Sequence, residues 1–224
     1  MDYSSGMGHP ASVLNKKRNS ARGLFLAWRD QFTLVAPFSG RRITTQSPLG
    51  IEMEEMHGHF WGFHETRPYM RAKAGLVNAL LFDKQTLEAV GHLWHMLELN
   101  TSDNQGMRYI LSTALLDTGN LNSYAGLLKR FPDDTMSAWL YNHALYLFRL
   151  HGDSPESTAK VYEAIDRNRH IPALLVGKKK MPTESFDYVV LGDVSEAAEY
   201  VRDNQRLWGL TRNAMDWLWD IAKK

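Results

Sequence analysis

Apolar residues recur at helical spacing through the middle of the chain. Between residues 86 and 99, for example, Leu87, Val90 and Leu93 stand three apart, and Leu97 follows four residues later. Spacings of three and four place side chains on one face of an α-helix. The pattern predicts six helices, which are Glu65–Phe82, Thr86–Leu99, Asn104–Thr118, Leu121–Arg130, Thr135–Leu150 and Ser154–Asn168.

Residues that begin or end helices stand close to these predicted boundaries. Asp103 precedes the third helix as a predicted N-cap, and Gly119 follows its end. Pro132 stops the fourth helix, while Ser154 and Pro155 occupy the cap and first position of the sixth. Short connections between successive helices predict that neighbours pack antiparallel.

The first 50 residues lack this helical pattern. Residues 1–22 are rich in Gly, Ser, Asn and basic residues, and 34–50 contain two Pro and two Gly, so only 23–33 is predicted as a short helix. We therefore predict two regions, a basic flexible arm over 1–50 and a helical-repeat domain over 51–224.

The C-terminal part contains the one segment that reads as a strand, Tyr188–Leu191. The last helix carries Trp217 and Trp219, with Trp208 upstream, and these rings are predicted to be core. A terminal helix of this kind is expected to cap a helical array by covering its apolar end.

Helix ends recur at a regular interval. The end at Ile165–Asn168 lies 68 residues after the comparable end at Leu97–Asn100, and an intervening end falls at Phe131–Asp134. This distance is twice the 34-residue period of tetratricopeptide repeats. We predict an all-α fold of about three antiparallel helix pairs, a TPR-like α-solenoid with a C-terminal capping helix.

Five stretches resemble a known family. They are HGHFWGFHETRPYMRAK (57–73), LNTSDNQGMRYIL (99–111), NRHIPALLVGKK (168–179), GDVSEAAEYV (192–201) and WGLTRNAMDWLW (208–219). Together they resemble bacterial tetratricopeptide-like proteins related to the suppressor-of-tumorigenicity family. The likeness covers about residues 50–220, and Arg169 and Ile171 depart from the family's Asn-Pro-His-Val-Pro pattern. It implies a helical-repeat scaffold and carries no reaction, cofactor or catalytic residue.

Charge is distributed unevenly along the chain. The net charge is +1, yet residues 1–50 hold seven Lys or Arg against two Asp, so the body is mildly acidic. The arm, with Lys16, Lys17, Arg18 and Arg22, is expected to be a solvated tail, and nucleic-acid binding is the alternative. A transit peptide is a minor alternative for the same arm. The absence of Cys and of any long apolar run predicts a cytoplasmic protein that does not enter membranes.

Candidate chemistry is sparse. His57, His59 and His64 lie close together, and imidazole is a good ligand for zinc or iron, but their spacing matches no strong metal motif. No nucleophile elbow or phosphate-binding loop occurs. We expect surface histidines, no cofactor and no enzyme activity, with a His-dependent metalloenzyme around 57–65 as an alternative.

Two other sets of polar residues suggest binding. Lys178, Lys179 and Lys180 form a basic run that is expected to be solvated. The first helices of tetratricopeptide pairs line a concave groove, and here they carry guanidinium and amide groups suited to carboxylates and peptide backbone. The predicted groove residues are Arg67, Arg71, Asn78, Asn104, Arg108, Ser112 and Asn142. We predict a protein-binding scaffold that holds an extended or acidic segment of a partner. The alternative for these side chains is ordinary ion pairing within the fold.

Overall fold

A computed structural model describes residues 56–183, 186 and 188–223. Within these ranges the chain is all-helical, and one isolated bridge between His59 and Asn100 is the only β-type pairing. The described helices are α1 (Arg67–Phe82), α2 (Thr86–Leu99), α3 (Met107–Asp117), α4 (Leu121–Arg130), α5 (Ser137–His151), α6 (Pro155–Arg167), α7 (Ile171–Leu175), α8 (Val194–Leu210) and α9 (Ala214–Ala222). The chain divides into two compact units, unit 1 (Met1–Arg108) and unit 2 (Tyr109–Lys224).

Unit 1 is built on the helical hairpin of α1 and α2. Pro68 fits the first turn of α1, where a missing N–H costs nothing, and Lys84, with φ of 60°, reverses the chain after Phe82. Leu76, Leu80 and Ala89 form a buried apolar cluster within the hairpin. The apolar face of each helix is thus covered by the other.

Unit 2 contains a second hairpin, α5 and α6. Gly152 ends α5 with φ of 65°, a conformation that side chains with a Cβ rarely adopt. Ser154 and Ser157 then form a reciprocal capping box, and Pro155 fills the first position of α6. The turn residues therefore fix where the hairpin reverses.

Three helices follow the α5–α6 hairpin in unit 2. The Asp193 carboxylate accepts a hydrogen bond from Val194 N at the start of α8, and Asn213, in the left-handed conformation, precedes α9. Helix α9 packs against α6, α7 and α8. The Trp217 ring of α9 and the Trp208 ring of α8 are buried, whereas Trp219 of α9 is only half-buried.

The prediction of an all-helical class is confirmed for the described residues. Helices α2 and α4 have the predicted bounds, and the other four differ by one to three residues at their ends. Helix α3 starts three residues late because the Asp103 carboxylate accepts hydrogen bonds from Met107 N (2.7 Å) and Arg108 N (3.0 Å).

The strand prediction at residues 188–191 is wrong. This segment forms turns and irregular backbone, and Tyr188 and Leu191 are exposed. Within the described ranges no strand is available to pair with it, so its β-branched residues have no sheet to join. The predicted arm 1–50, including the short helix at 23–33, lies outside the described residues.

Candidate functional site

Three of the predicted groove residues share one face of α1. Arg67, Arg71 and Asn78 are separated by four and seven residues, which places them within about 40° around the helix axis. Arg71 and Asn78 are exposed and Arg67 is half-buried. The buried side chains of α1, such as Val77 and Leu80, lie on other sides of the helix. We call the stripe of Arg67, Arg71 and Asn78 the α1 face.

The two arginines of the α1 face are held by Trp61. The guanidinium carbon of each lies 5.7 Å from the centroid of the indole ring, within range of a cation–π interaction. Arg67 Nε also donates a hydrogen bond to the Trp61 carbonyl (2.8 Å), and its Nη1 lies 3.4 Å from His64 Nδ1. The ring therefore orders two cations side by side at the start of the helix.

Trp61 is positioned by a loop fixed to the end of α2. Phe60 N donates to Leu99 O (3.0 Å), and Thr101 N donates to Gly58 O (2.8 Å). The Thr66 hydroxyl, just before α1, donates to the carbonyl of Phe60. Backbone hydrogen bonds to the end of α2 and the Thr66 hydrogen bond at the start of α1 thus restrict the position of the Trp61 indole.

The charge of the α1 face is not neutralised within the described part of the chain. No described carboxylate forms an ion pair with Arg67 or Arg71. Arg67 already uses Nε for the Trp61 carbonyl, and the remaining guanidinium N–H groups of Arg67 and Arg71 can donate to a carboxylate fork. The face therefore presents two positive charges and one amide to whatever approaches it.

Arg108 is engaged inside unit 1. Its Nη1 donates to Asp103 Oδ2 at 2.9 Å, and the side chain of Asp103 is fully covered. Burial raises the pKa of Asp103, and the N–H groups of Arg108 and Met107 and the Arg108 guanidinium oppose that shift. The ordinary ion pair, weighed above as the alternative to a groove contact, is present at Arg108. Asn104 is exposed in the same loop.

Ser112 and Asn142 lie in the interior of unit 2 and need correction as groove residues. Their exposed fractions are 0% and 1%. Asn142 Nδ2 donates to Ser112 Oγ (2.8 Å) and to Thr113 Oγ1 (3.3 Å), and its Oδ1 accepts from Tyr200 Oη (2.9 Å). Buried polar groups require such partners, so these two side chains serve packing rather than an open groove in this structure.

The histidine trio is exposed. His57, His59 and His64 all reach solvent, and His64 contacts Arg67. Among the residues that the structure describes, no group of three His, Asp or Glu side chains is arranged to hold a metal ion. The basic run at 178–180 is exposed, as predicted for a solvated segment. The basic arm, with Lys16, Lys17, Arg18 and Arg22, lies outside the described residues.

A buried lysine was missed. Lys73 is only 2% exposed, and its ammonium donates to His95 Nδ1 (3.0 Å) and lies 3.5 Å from Tyr69 Oη. Burial lowers the pKa of Lys73 to about 8, with Glu98 opposing, and burial together with Lys73 lowers the pKa of His95 to about 4. The signal was present in the sequence, since Lys73 lies three residues from both Met70 and Leu76 on the apolar stripe of α1.

No protein-family model, curated protein or solved structure matches this chain. Within the described ranges, none of the helices combines the length and apolar character needed to cross a bilayer.

Proposed function

We propose that this chain is a TPR-like helical-repeat scaffold that binds an extended, acidic segment of a partner protein on the α1 face. The proposal rests on one observation. Arg67 and Arg71 are ordered side by side on Trp61, and no described carboxylate neutralises them. Two ordered cations that no described carboxylate neutralises favour the binding of anions, because little side-chain entropy remains to be lost on binding.

The spacing of the α1 face suits an extended chain. Positions four apart on a helix rise by about 6 Å, and alternate side chains of an extended segment are about 6.6 Å apart. Arg67 and Arg71 therefore match carboxylates at every second residue of a bound segment. Asn78 lies about 16 Å from Arg67 along the axis, so its amide reaches the backbone of the same segment about five residues on.

Helix ends in the two units support the repeat architecture as part of the proposal. Asn100 ends α2 and Asn168 ends α6, and the two have similar backbone angles, with φ of −140° and −150°. Both side chains are buried, at ends 68 residues apart. Equivalent caps at twice a 34-residue period are what a degenerate repeat would give. The cytoplasmic location expected from the absence of Cys stays part of the proposal.

The test uses an acidic peptide as a probe. A capped nonapeptide with Glu at alternate positions is titrated into the full chain by calorimetry, beside a twin with Gln in place of Glu. We expect Arg71→Ala to weaken binding of the Glu peptide at least tenfold, because a charge-assisted contact is worth about 1.5 to 3 kcal/mol. Arg71→Lys restores little, since an ammonium does not reproduce the two-pronged guanidinium geometry.

Two matched variants serve as controls. Lys129→Ala removes an exposed cation from α4 and leaves binding unchanged. Arg108→Ala removes a cation already paired with Asp103, so binding changes by less than about threefold, well below the loss expected for an unpaired arginine. Equal binding of the Glu and Gln peptides, or normal binding by Arg71→Ala, would falsify the proposal. A single-stranded oligonucleotide that outcompetes the peptide would favour the nucleic-acid alternative instead.

A further inference from the structure

The side chain of Lys73 is buried in unit 1 without a carboxylate partner. It is 2% exposed, and no described Asp or Glu forms an ion pair with it. Within the described part of the chain its nitrogen contacts His95 Nδ1 at 3.0 Å and Tyr69 Oη at 3.5 Å. Burial without a negative partner penalises the ammonium form of a lysine. The surroundings of Lys73 therefore favour the neutral amine.

A neutral amine is the nucleophilic form of lysine. Burial lowers the pKa of Lys73 to about 8, with Glu98 opposing that shift. At pH 7 such an amine is unprotonated in about one molecule in ten, against about one in three thousand at the ordinary pKa of 10.5. Lys73 is therefore far better prepared to attack a carbonyl carbon than an exposed lysine such as Lys84.

His95 is placed to move the protons of that amine. Burial and the neighbouring Lys73 and His92 lower the pKa of His95 to about 4, so its ring is neutral at pH 7. Because Nδ1 accepts an N–H of Lys73, this contact leaves the lone pair of the nitrogen available. A nucleophile within hydrogen-bond distance of a base is the arrangement used in covalent catalysis. Burial also raises the pKa of Tyr69, so its hydroxyl keeps a proton to donate to a nearby oxygen.

The structure leaves space for a small molecule beside His95. Tyr69 and His95 are half-buried, so the amine of Lys73 lies directly beneath side chains that reach solvent. Gly91 stands one turn before His95 on the same face of α2, and a Cβ built at Gly91 meets no atom within 4 Å. The His95 ring therefore has open space into which it turns when a ligand approaches Lys73.

The charge of α2 selects the kind of ligand. The helix carries Glu88 and Glu98 and has no Lys or Arg. Both carboxylates are exposed, and they act electrostatically on His92 and Lys73 respectively. Negative charge beside the approach to the amine repels an anionic ligand. An uncharged carbonyl compound is therefore favoured over a keto acid or another acidic carbonyl compound.

We propose that Lys73 is a covalent binding site for a small uncharged aldehyde. The nitrogen of Lys73 attacks the carbonyl carbon, and the hydroxyl of Tyr69 donates a hydrogen bond to the carbonyl oxygen. The two protons that the amine gives up pass through His95 Nδ1 to this oxygen, which leaves as water while the C=N bond forms. Amine and aldehyde thus give an imine and one water, without an oxidant or a reductant. Lys73 does not belong to the α1 face, so the site is separate from the proposed function.

The experiment labels the full chain with propionaldehyde at pH 7. Cyanoborohydride reduces each imine to a stable secondary amine, and peptide mass spectrometry measures the rate at each lysine. We expect Lys73 to be labelled at least tenfold faster than Lys84, the exposed lysine after α1. In denaturant the two rates should become similar, because the burial that lowers the pKa of Lys73 is lost. With glyoxylate, an anionic aldehyde, the ratio of Lys73 to Lys84 should fall at least fivefold.

Variants connect the reactivity to the described neighbours. His95→Gln keeps a hydrogen-bond acceptor near Lys73 but removes the base, so labelling of Lys73 should slow at least fivefold. Gly91→Leu fills the space beside His95 and should also slow labelling, although leucine forms helices better than glycine and should not lower the melting temperature. His151→Gln, an exposed histidine of α5 in unit 2, is the matched control and should change nothing.

Three outcomes would overturn the inference. They are labelling of Lys73 no faster than that of Lys84, the same ratio of the two lysines with both aldehydes, or an unchanged rate in His95→Gln. The comparison of Lys73 with Lys84 uses the wild-type chain, so it does not depend on the folding of any variant. Failure of the α1-face proposal appears in peptide titrations and leaves this labelling unaffected, so the two failures are distinguishable.

Discussion

The first helices of the two hairpins, α1 and α5, use polar residues in opposite ways. Five of the 16 residues of α1 are buried, against nine of the 15 residues of α5. Asn78 of α1 is exposed, whereas Asn142 of α5 is enclosed by hydrogen bonds from α3 and α8. The number of sides on which a helix is packed therefore decides whether an asparagine on it faces solvent or forms buried hydrogen bonds.

The largest effect is expected for Trp217, whose ring in α9 packs against Phe148 of α5. Trp217→Ala should lower the free energy of unfolding by about 3 to 5 kcal/mol, because the ring is buried and stacks on Phe148 of α5. Denaturant unfolding measures it, with Trp219→Ala, a half-buried ring of the same helix, as the control. A cost below about 0.5 kcal/mol would show that α9 does not contribute to the stability of α5.

The next effect concerns the one buried charge of α1. Burial lowers the pKa of Lys73 from its ordinary value of 10.5 to about 8, so the fold disfavours the protonated amine. Wild-type stability should therefore be reduced below pH 8 and rise as the pH increases from about 8 towards 10.5. Relative to Lys73→Met, the gain between pH 7 and pH 10 is about 2 to 3 kcal/mol.

Chemical denaturation of both proteins at several pH values tests this prediction. Groups that do not interact with Lys73 cancel in the difference. His92 and His95, whose pKa values Lys73 lowers, titrate below the window from pH 7 to pH 10. Parallel stability curves for wild type and Lys73→Met would mean that Lys73 keeps its ordinary pKa and reaches solvent.

A matched pair of asparagines gives the smallest and most direct comparison. Asn142→Ala removes the acceptor of the Tyr200 hydroxyl proton and the amide donor to Ser112 in a buried site, so we expect a loss of about 2 kcal/mol. Asn78→Ala, on the exposed face, should change stability by less than about 0.5 kcal/mol. Thermal melts of the two variants measure the difference. Similar melting temperatures would show that Asn142 contributes no more to stability than the exposed Asn78.

The sequence predicted the helices far better than the roles of their polar residues. Periodicity located α2 at its observed bounds, and Pro132 indicated where α4 ends, because both signals are local. Whether Ser112 or Asn142 faces solvent depends on which helix packs opposite, and the partner that encloses Asn142 is Tyr200, 58 residues further on. Local spacing carries no information about such a partner.

The same reasoning separates Arg71 from Arg108. Both are predicted groove residues, but Arg108 pairs with Asp103, whose carboxylate accepts hydrogen bonds from the first N–H groups of the same helix. Arg71 instead lies over the ring of Trp61, which is not among the predicted groove residues. For Lys73 the apolar stripe did hold the information, since a lysine at a core position of a helix is rare enough to be noticed.

The hydrogen bonds around Tyr200 run in one direction through unit 2. Trp208 Nε1 donates to Tyr200 Oη, which donates to Asn142 Oδ1, and Asn142 Nδ2 donates to Ser112 Oγ. Because the indole proton of Trp208 is bonded in a fully buried position, its exchange with deuterium requires that this part of the protein open. The exchange rate of its indole N–H, followed by NMR, therefore reports how often unit 2 opens. The half-buried Trp219 in the same sample serves as the reference.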